Sequence, residues 1–168
     1  RYIKAIENTN ELPLDLLFSA LDCIRELHEE NNSDYEFIYD LVKKNILLNY
    51  VNYEKNKFWY KYQLMLWHKN FVVGNLKKAL EISKQLYDSL KNSAIYFEEE
   101  EDYPGQVYNA YGLSVKMCNS GDQAYLIFRE GFQLYPCSYY AQAALLSQEG
   151  NQLLKHSPDK AAEKYQKL

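Results

Sequence analysis

The stretch that decides the fold runs from Gly112 to Pro136 and reads GLSVKMCNSGDQAYLIFREGFQLYP. Gly112 is followed twelve residues later by Ala124, and Phe128, Gly131 and Pro136 stand four, seven and twelve residues beyond Ala124. A glycine lets two helix axes approach, and residues four apart share one face of the facing helix. Proline ends a helix because its nitrogen has no hydrogen to donate. This spacing is typical of a two-helix repeat.

Length and composition favour a helical domain of this kind. The chain has 168 residues, enough for one domain or a few stacked repeats with a sizeable core. It has 6 glycines and 4 prolines, which suits long helices with short connections better than a turn-rich sheet. Its 17 tyrosines combine an apolar ring with a polar tip, so they suit half-buried helix positions or wet grooves.

Charge and cysteine usage exclude several classes of protein. The net charge of −4 counts against broad binding to a phosphate backbone, although a local basic strip remains open. Cys23, Cys118 and Cys137 are odd in number and lack CxxC spacing, which predicts reduced, mostly buried thiols in an intracellular protein. No apolar run approaches the roughly 20 residues of a membrane span, and no signal peptide is visible.

The first 55 residues predict a helical hairpin that lacks the repeat spacing. Pro13 suits the first position of a helix, and apolar residues follow it at intervals of three and four. Ser33 and Glu36 can form a capping box for a second helix that extends to about Tyr50. The chain begins at Arg1 without a methionine, which predicts a fragment of a longer protein.

The remaining residues predict a succession of helices. Gly74 tolerates a left-handed turn, and Ser157 with Pro158 is typical of a helix start. The predicted helices span about 56–73, 76–97, 104–118, 138–156 and 160–168. Between the third and fourth of these, a turn at 119–122 precedes a further helix that ends near residue 135. The last helical pattern stops without an ending signal, which also predicts truncation.

A small residue recurs in every second helix of this region. Ala79, Ala124 and Ala161 occupy corresponding positions, 45 and 37 residues apart. The region resembles the tetratricopeptide repeat (TPR), whose unit has about 34 residues. The resemblance covers about residues 58–168 and is best over 105–168, whereas in its first repeat Trp67 replaces the small residue.

The TPR resemblance implies an all-α, right-handed α-solenoid of about four antiparallel hairpins. Residues 1–55 would form the first hairpin and residues 56–168 the TPR-like repeats, in one continuous domain. In TPR proteins the first helix of each repeat lines a groove that binds a segment of a partner protein. The resemblance therefore implies a non-enzymatic scaffold, which either binds such a segment or packs as a subunit of a larger complex.

The positions that line the groove in TPR proteins correspond to a set of candidate partner-binding residues in this chain, which we call anchors. The set includes apolar residues such as Leu64. Some TPR grooves bind the terminal carboxylate of a peptide with Lys and Asn side chains from several repeats, an arrangement called a carboxylate clamp. Asn151 and Lys155 match the positions that one repeat contributes, but Leu64 and Leu113 stand at such positions in the other repeats and cannot bind a carboxylate. The set thus predicts a mixed groove, or else an ordinary solvated helix face. The polar anchors are Lys61, His68, Asn109, Lys116, Asn151 and Lys155.

A competing interpretation is RNA binding. Residues 107–109 and Pro136 also resemble a pentatricopeptide unit, and residues 55–62 interleave basic with aromatic side chains, as nucleic-acid sites do. The acidic balance and the irregular repeat spacing count against it. The acidic run at 98–102 has two interpretations, a docking site for a basic segment and a solvated loop before the helix at Pro104.

Catalytic, metal-binding and cofactor-binding patterns are lacking in the sequence. His28, His68 and His156 lie on different predicted helices and form no HxxxH or HExxH pair. There is no GxGxxG, no phosphate-binding loop and no GxSxG. The sequence therefore predicts a protein that is not an enzyme, with no cofactor, no metal and no small-molecule substrate.

Overall fold

The computed structural model describes residues 16, 18–19, 37–44, 57–92, 97, 102–118, 121–154 and 156–166. All regular structure among these residues is helical. The chain forms two compact units, Arg1–Tyr62 and Gln63–Leu168. The predicted helix start at Pro13, the capping box at Ser33 and the thiol of Cys23 lie outside the described residues.

The first unit contains a helical segment at 37–44 and the start of helix α1, Lys57–Val72. Its aromatic rings pack against one another, with the Phe18 and Phe58 rings stacked at a centroid distance of 5.9 Å. The Nζ atom of Lys61 lies 4.8 Å from the centroid of the Phe18 ring. Aromatic and aliphatic side chains therefore build the core of this unit, and the fully or nearly buried ones are Phe18, Ile38, Tyr39, Val42, Trp59, Tyr60 and Tyr62.

The second unit contains the rest of α1 and five further helices. These are α2 (Leu76–Asn92), α3 (Tyr103–Cys118), α4 (Gly121–Leu134), α5 (Tyr139–Leu153) and α6 (Pro158–Tyr165). The bounds agree with the sequence prediction to within a few residues, except that Phe97 is not helical. From α2 onward each helix packs against the next along the chain, and α3 also packs against α5.

Reciprocal contacts between glycines and aromatic rings join α3 to α4. Gly112 of α3 faces the ring of Phe128, and Gly131 of α4 faces Tyr108 of α3. A Cβ on Gly112 would overlap the Phe128 ring, and one on Gly131 would lie 2.7 Å from the Tyr108 Cβ. Ala124 is fully buried in the same crossing. The predicted close approach at Gly112, Ala124 and Phe128 is thus confirmed.

Helices α3 and α5 run side by side in the same direction. Gly105 in the first turn of α3 packs against Ser138, the residue that caps α5. Asp102, just before α3, accepts a hydrogen bond of 3.2 Å from the Tyr140 backbone N–H. A carboxylate is favourable there because the first backbone amides of a helix are unpaired and carry partial positive charge.

A buried hydrogen bond joins α1 to α3 within the second unit. The indole Nε1–H of Trp67 donates to the Ser114 hydroxyl over 2.8 Å, and that hydroxyl donates to the Ala110 carbonyl over 2.9 Å. Leu64, one of the apolar groove residues expected from the repeat resemblance, is 8% exposed and belongs to the core. The expectation that Leu64 faces an open groove is therefore wrong, because a side chain buried in the core cannot contact a partner there.

The turns follow the local chemistry of the sequence. Gly74 has a φ of 80°, the left-handed conformation predicted for it. Ser138 caps α5 by accepting from the Ala141 N–H over 3.0 Å. Pro158 is the first residue of α6, as predicted, whereas the Ser157 side chain makes no capping hydrogen bond. The predicted helix start, with Ser157 at the N-cap and Pro158 after it, is thus confirmed, although the cap lacks its side-chain hydrogen bond.

Two of the three cysteines disagree with the prediction of buried thiols. Cys118 and Cys137 are both free and exposed. Cys118 is the last residue of α3, with its Sγ 3.6 Å from the Leu76 carbonyl oxygen, and Cys137 lies in the turn before α5. Composition alone misplaced them, because residues at helix ends are exposed more often than the burial preference of cysteine implies.

A polar network ties α2 to α4. Tyr87 donates a hydrogen bond of 2.7 Å to Glu130 Oε2, and Lys91 donates to Glu130 Oε1 over 2.9 Å and to the Tyr87 hydroxyl over 3.1 Å. Burial alone would raise the pKa of Glu130, but the hydrogen bonds from Tyr87 and Lys91 outweigh it and lower the pKa overall. The pKa of Lys91 is raised, chiefly by its hydrogen bond to Glu130.

The lowered pKa of Glu130 predicts a pH-dependent contribution to stability. A lowered carboxyl pKa stabilises the fold above the unfolded value of about 4.3, and this stabilisation is lost as the pH falls through the folded value. We expect Glu130→Gln to reduce the free energy of unfolding at pH 7 by less than about 1 kcal/mol, because the pair is partly solvated. The difference from wild type should shrink as the pH falls below the unfolded value.

Urea unfolding of both proteins at pH 7 and pH 3 measures this effect. Glu163→Gln is the control, because Glu163 is exposed and has no hydrogen bond or ion pair with another described residue. A loss of stability that is equal at both pH values would contradict the assignment of the effect to the carboxylate charge.

Candidate functional site

A cleft lies between the parallel helices α3 and α5, and we call it the α3–α5 cleft. It has two parts that share Lys116 and Gln148, with volumes of about 250 Å³ and 440 Å³. The first part follows the middle of both helices, and the second follows their carboxyl ends. Its principal side chains come from α3 (Asn109, Leu113, Lys116), α5 (Tyr140, Ala143, Ala144, Ser147, Gln148, Asn151, Gln152) and the turn after α5 (His156).

The floor of the first part is apolar. Phe128 of α4 reaches into it between the two helices and is 2% exposed, because Gly112 leaves room for its ring. Leu113 and Ala144 pack against the core cluster that contains Phe128. The position of this floor is therefore set by the same glycine–aromatic contact that fixes the α3–α4 crossing.

The rim carries polar side chains without intramolecular partners. The side chains of Asn109 and Lys116 make no hydrogen bond or ion pair with any described residue, and the same holds for Ser147, Gln152 and His156. Lys116 lies in the last turn of α3, where a cation also interacts favourably with the helix dipole. Its ammonium group nevertheless keeps its full capacity to donate hydrogen bonds.

Gln148 lies where the two parts of the cleft meet. It is 6% exposed, and its Oε1 atom has no hydrogen-bond partner in the structure. A buried, unpaired amide oxygen costs about 1–3 kcal/mol, so native proteins contain few of them. Gln148 is consequently a buried polar residue of the cleft wall whose amide oxygen is unsatisfied within the chain.

Asn151 is held in place by α6. The Tyr165 hydroxyl donates to Asn151 Oδ1 over 2.9 Å, and the Tyr165 ring packs against Gly150. Lys164 and Glu149 form an ion pair at 2.5 Å between the same two helices. Because its oxygen is occupied by Tyr165, the Asn151 amide presents its nitrogen as a donor.

The structure unites three of the six predicted anchors. Asn109, Lys116 and Asn151 all line the α3–α5 cleft. His68 stands apart from the described lining, half-buried with its ring 6.3 Å from that of Trp67, and Lys61 belongs to the first unit. Lys155 lies outside the described residues.

Several cleft residues were not singled out from the sequence. Tyr140, Gln148, Gln152 and His156 line the cleft without belonging to the predicted set. A signal existed for α5, because Gln148 and Gln152 are one turn apart and share a face. Tyr140 could not have been found in this way, since its place depends on how the start of α5 packs beside α3.

The electrostatic character of the cleft is one-sided. Its described lining contains the cation Lys116 and the imidazole His156, together with four amides and the hydroxyls of Tyr140 and Ser147, and it contains no carboxylate. Across the described residues, no group of three or more His, Cys, Asp or Glu side chains could hold a metal ion. The cleft as described can bind by hydrogen bonds, one positive charge and apolar contact.

Comparison with known proteins gives no match among family models, curated proteins or solved structures. None of the helices that the structure describes combines the length and apolar character needed to cross a membrane.

Proposed function

We propose that this chain is a non-enzymatic scaffold built from TPR-like helical repeats, which binds a segment of a partner protein in the α3–α5 cleft. The observation that carries the proposal is the cleft itself. Two parallel helices present unpaired polar side chains above an apolar floor formed by Phe128. Recognition of a peptide requires both elements, since apolar burial gives affinity and hydrogen bonds fix position and specificity.

The packing of the second unit supports the repeat architecture. Helix α4 lies against both α3 and α5, and α3 lies against α5, so alternate helices are neighbours. Trp67 and Ser114 join α1 to α3 in a similar way. A right-handed α-solenoid of about four hairpins, with residues 1–55 as the first, would continue this arrangement along the whole chain.

Packing as a subunit of a larger complex is a second form of the same proposal. It would use the exposed apolar side chains of α4 instead of the cleft, among them Leu126 and Leu134. RNA binding has less support, because the described lining of the cleft offers one lysine, whereas backbone binding needs several cations.

Affinity capture with a cleft variant tests the proposal. The variant replaces Asn109, Lys116 and Asn151 with alanine, and the control replaces Lys77, Lys84 and Lys160, which lie on exposed surfaces of α2 and α6. We expect the full chain to capture a partner from nuclease-treated extract, and the purified partner to bind wild type and the control but not the cleft variant.

Two results would contradict this expectation. A purified partner that binds the cleft variant as tightly as wild type would place the interface on another surface, such as that of α4. Recovery of ribonucleoproteins that is abolished by nuclease would favour the RNA-binding interpretation instead.

A further inference from the structure

The unpaired groups of the α3–α5 cleft also define the chemistry of its occupant. Lys116 supplies a full positive charge, the amide nitrogen of Asn151 is available because Tyr165 holds its oxygen, and Gln152 and His156 add further donors nearby. No carboxylate stands in the described lining to neutralise Lys116. This end of the cleft is therefore complementary to an anion.

Part of the α5 backbone at this end is already hydrogen-bonded within the chain. The carboxyl end of a helix carries partial negative charge on its unpaired carbonyls. In α5 the Leu153 carbonyl already accepts from His156 N–H at 3.0 Å and from Ser157 N–H at 2.7 Å, and the Gly150 carbonyl accepts from Leu154 N–H at 3.0 Å. The Gly150 and Leu153 carbonyls of α5 are thus already paired within the chain.

The two parts of the cleft share Lys116 and Gln148 in their linings, so an occupant that contacts these two side chains borders both parts. The first part ends on the apolar floor made by Leu113, Phe128 and Ala144. An extended peptide advances about 3.3 Å per residue and points alternate side chains the same way. A short segment can thus place one side chain on the floor and another beside Lys116.

We infer, building on the proposed function, that the segment bound in the α3–α5 cleft is acidic, with a side-chain carboxylate of Asp or Glu at Lys116 and an apolar side chain on Phe128. The carboxylate accepts hydrogen bonds from the Lys116 ammonium and from the Asn151 amide. Charge-assisted hydrogen bonds of this kind are the strong ones in protein recognition.

Selection of binding peptides on the full chain tests the inference. A library of random, terminally blocked peptides is displayed, and the enriched sequences are synthesised with a fluorophore and titrated by anisotropy. Blocking both ends removes the terminal carboxylate, so only side chains can supply the anion. The variants are Lys116→Glu, Ala143→Trp, which fills the first part, and Lys160→Glu, which makes the same charge change on exposed α6.

We expect the enriched peptides to carry Asp or Glu within a few positions of a large apolar residue. Lys116→Glu should weaken binding about tenfold or more, and Lys160→Glu should change it by less than about twofold. Added salt should weaken the binding, because one charge pair is partly exposed to solvent. Circular dichroism confirms that each variant is folded.

The outcomes separate the inference from the proposed function. Enriched peptides without acidic residues, which bind Lys116→Glu as tightly as wild type but lose affinity for Ala143→Trp, would overturn the inference and leave the proposed function standing. Peptides that bind all variants equally, or a failure of any peptide to be enriched, would overturn both. Binding of single-stranded oligouridine that depends on Lys116, without peptide binding, would overturn both as well.

Discussion

Gly112→Leu is expected to reduce the free energy of unfolding by about 2–3 kcal/mol, within the usual range for overpacking a core. The ring of Phe128 fills the space in which any side chain on residue 112 would have to lie. Both residues are buried at the crossing of α3 and α4, so neither can turn toward solvent. Removing a glycine from a helix interior would by itself stabilise α3, and the overpacking must outweigh that gain.

Chemical unfolding followed by circular dichroism measures the change, with Gly121→Ala as the matched glycine control. A Cβ at Gly121 would meet nothing closer than the Gln148 side-chain nitrogen at 3.7 Å. A double-mutant cycle of Gly112→Ala and Phe128→Leu should show coupling, since a smaller, flexible side chain relieves the overlap. Neutrality of Gly112→Leu would disprove the contact and with it the repeat register.

Trp67→Ala is expected to reduce the free energy of unfolding by about 3–5 kcal/mol, the usual effect of removing a large buried aromatic side chain. The substitution leaves a cavity between α1 and α3 and removes the hydrogen bond to Ser114. Its effect should exceed that of any single substitution in the polar rim of the cleft, because the rim residues are partly solvated.

Ser114→Ala isolates the hydrogen bond from the volume of the ring. It should cost about 1–3 kcal/mol, because the indole N–H then loses its acceptor in a buried site. In a Trp67→Phe background the same change should cost much less, because no indole remains to be satisfied. Ser147→Ala, on the half-buried wall of the cleft, is the control and should be nearly neutral. Equal losses in both backgrounds would contradict the assigned bond.

The hairpin of α3 and α4 could be predicted because its determinants are local. Gly112, Ala124, Phe128 and Pro136 lie within 25 residues, and each acts through volume or backbone geometry that its residue type determines. The end of α2 was harder to predict, because apolar residues continue beyond it toward Phe97. Periodicity alone cannot show where tertiary contacts stop stabilising a helix. Phe97 instead approaches Tyr103 at the start of α3, with ring centroids 5.9 Å apart.

The candidate site could be predicted in part for a related reason. Asn109 and Lys116 face the cleft because their register follows from Gly112, four residues or fewer away. The register assigned to α1 failed at Leu64, since the bond from Trp67 to Ser114 depends on a partner 47 residues distant. The buried amide of Gln148 carries no local signal, because its environment is created by three helices together.

The reciprocal glycine–aromatic contacts between α3 and α4 restrict how the two helices can slide along each other. Each helix receives a ring from the other, Phe128 on Gly112 and Tyr108 on Gly131. Sliding one helix by a turn, about 5.4 Å, would drive both rings onto side chains, so the pair has one permitted alignment. The position of Phe128 beneath the cleft is therefore fixed by the packing of α3 on α4. In the proposed complex, the conformational entropy lost on binding would then fall on the peptide, so stiffening that peptide in its bound shape would be the most direct way to raise affinity.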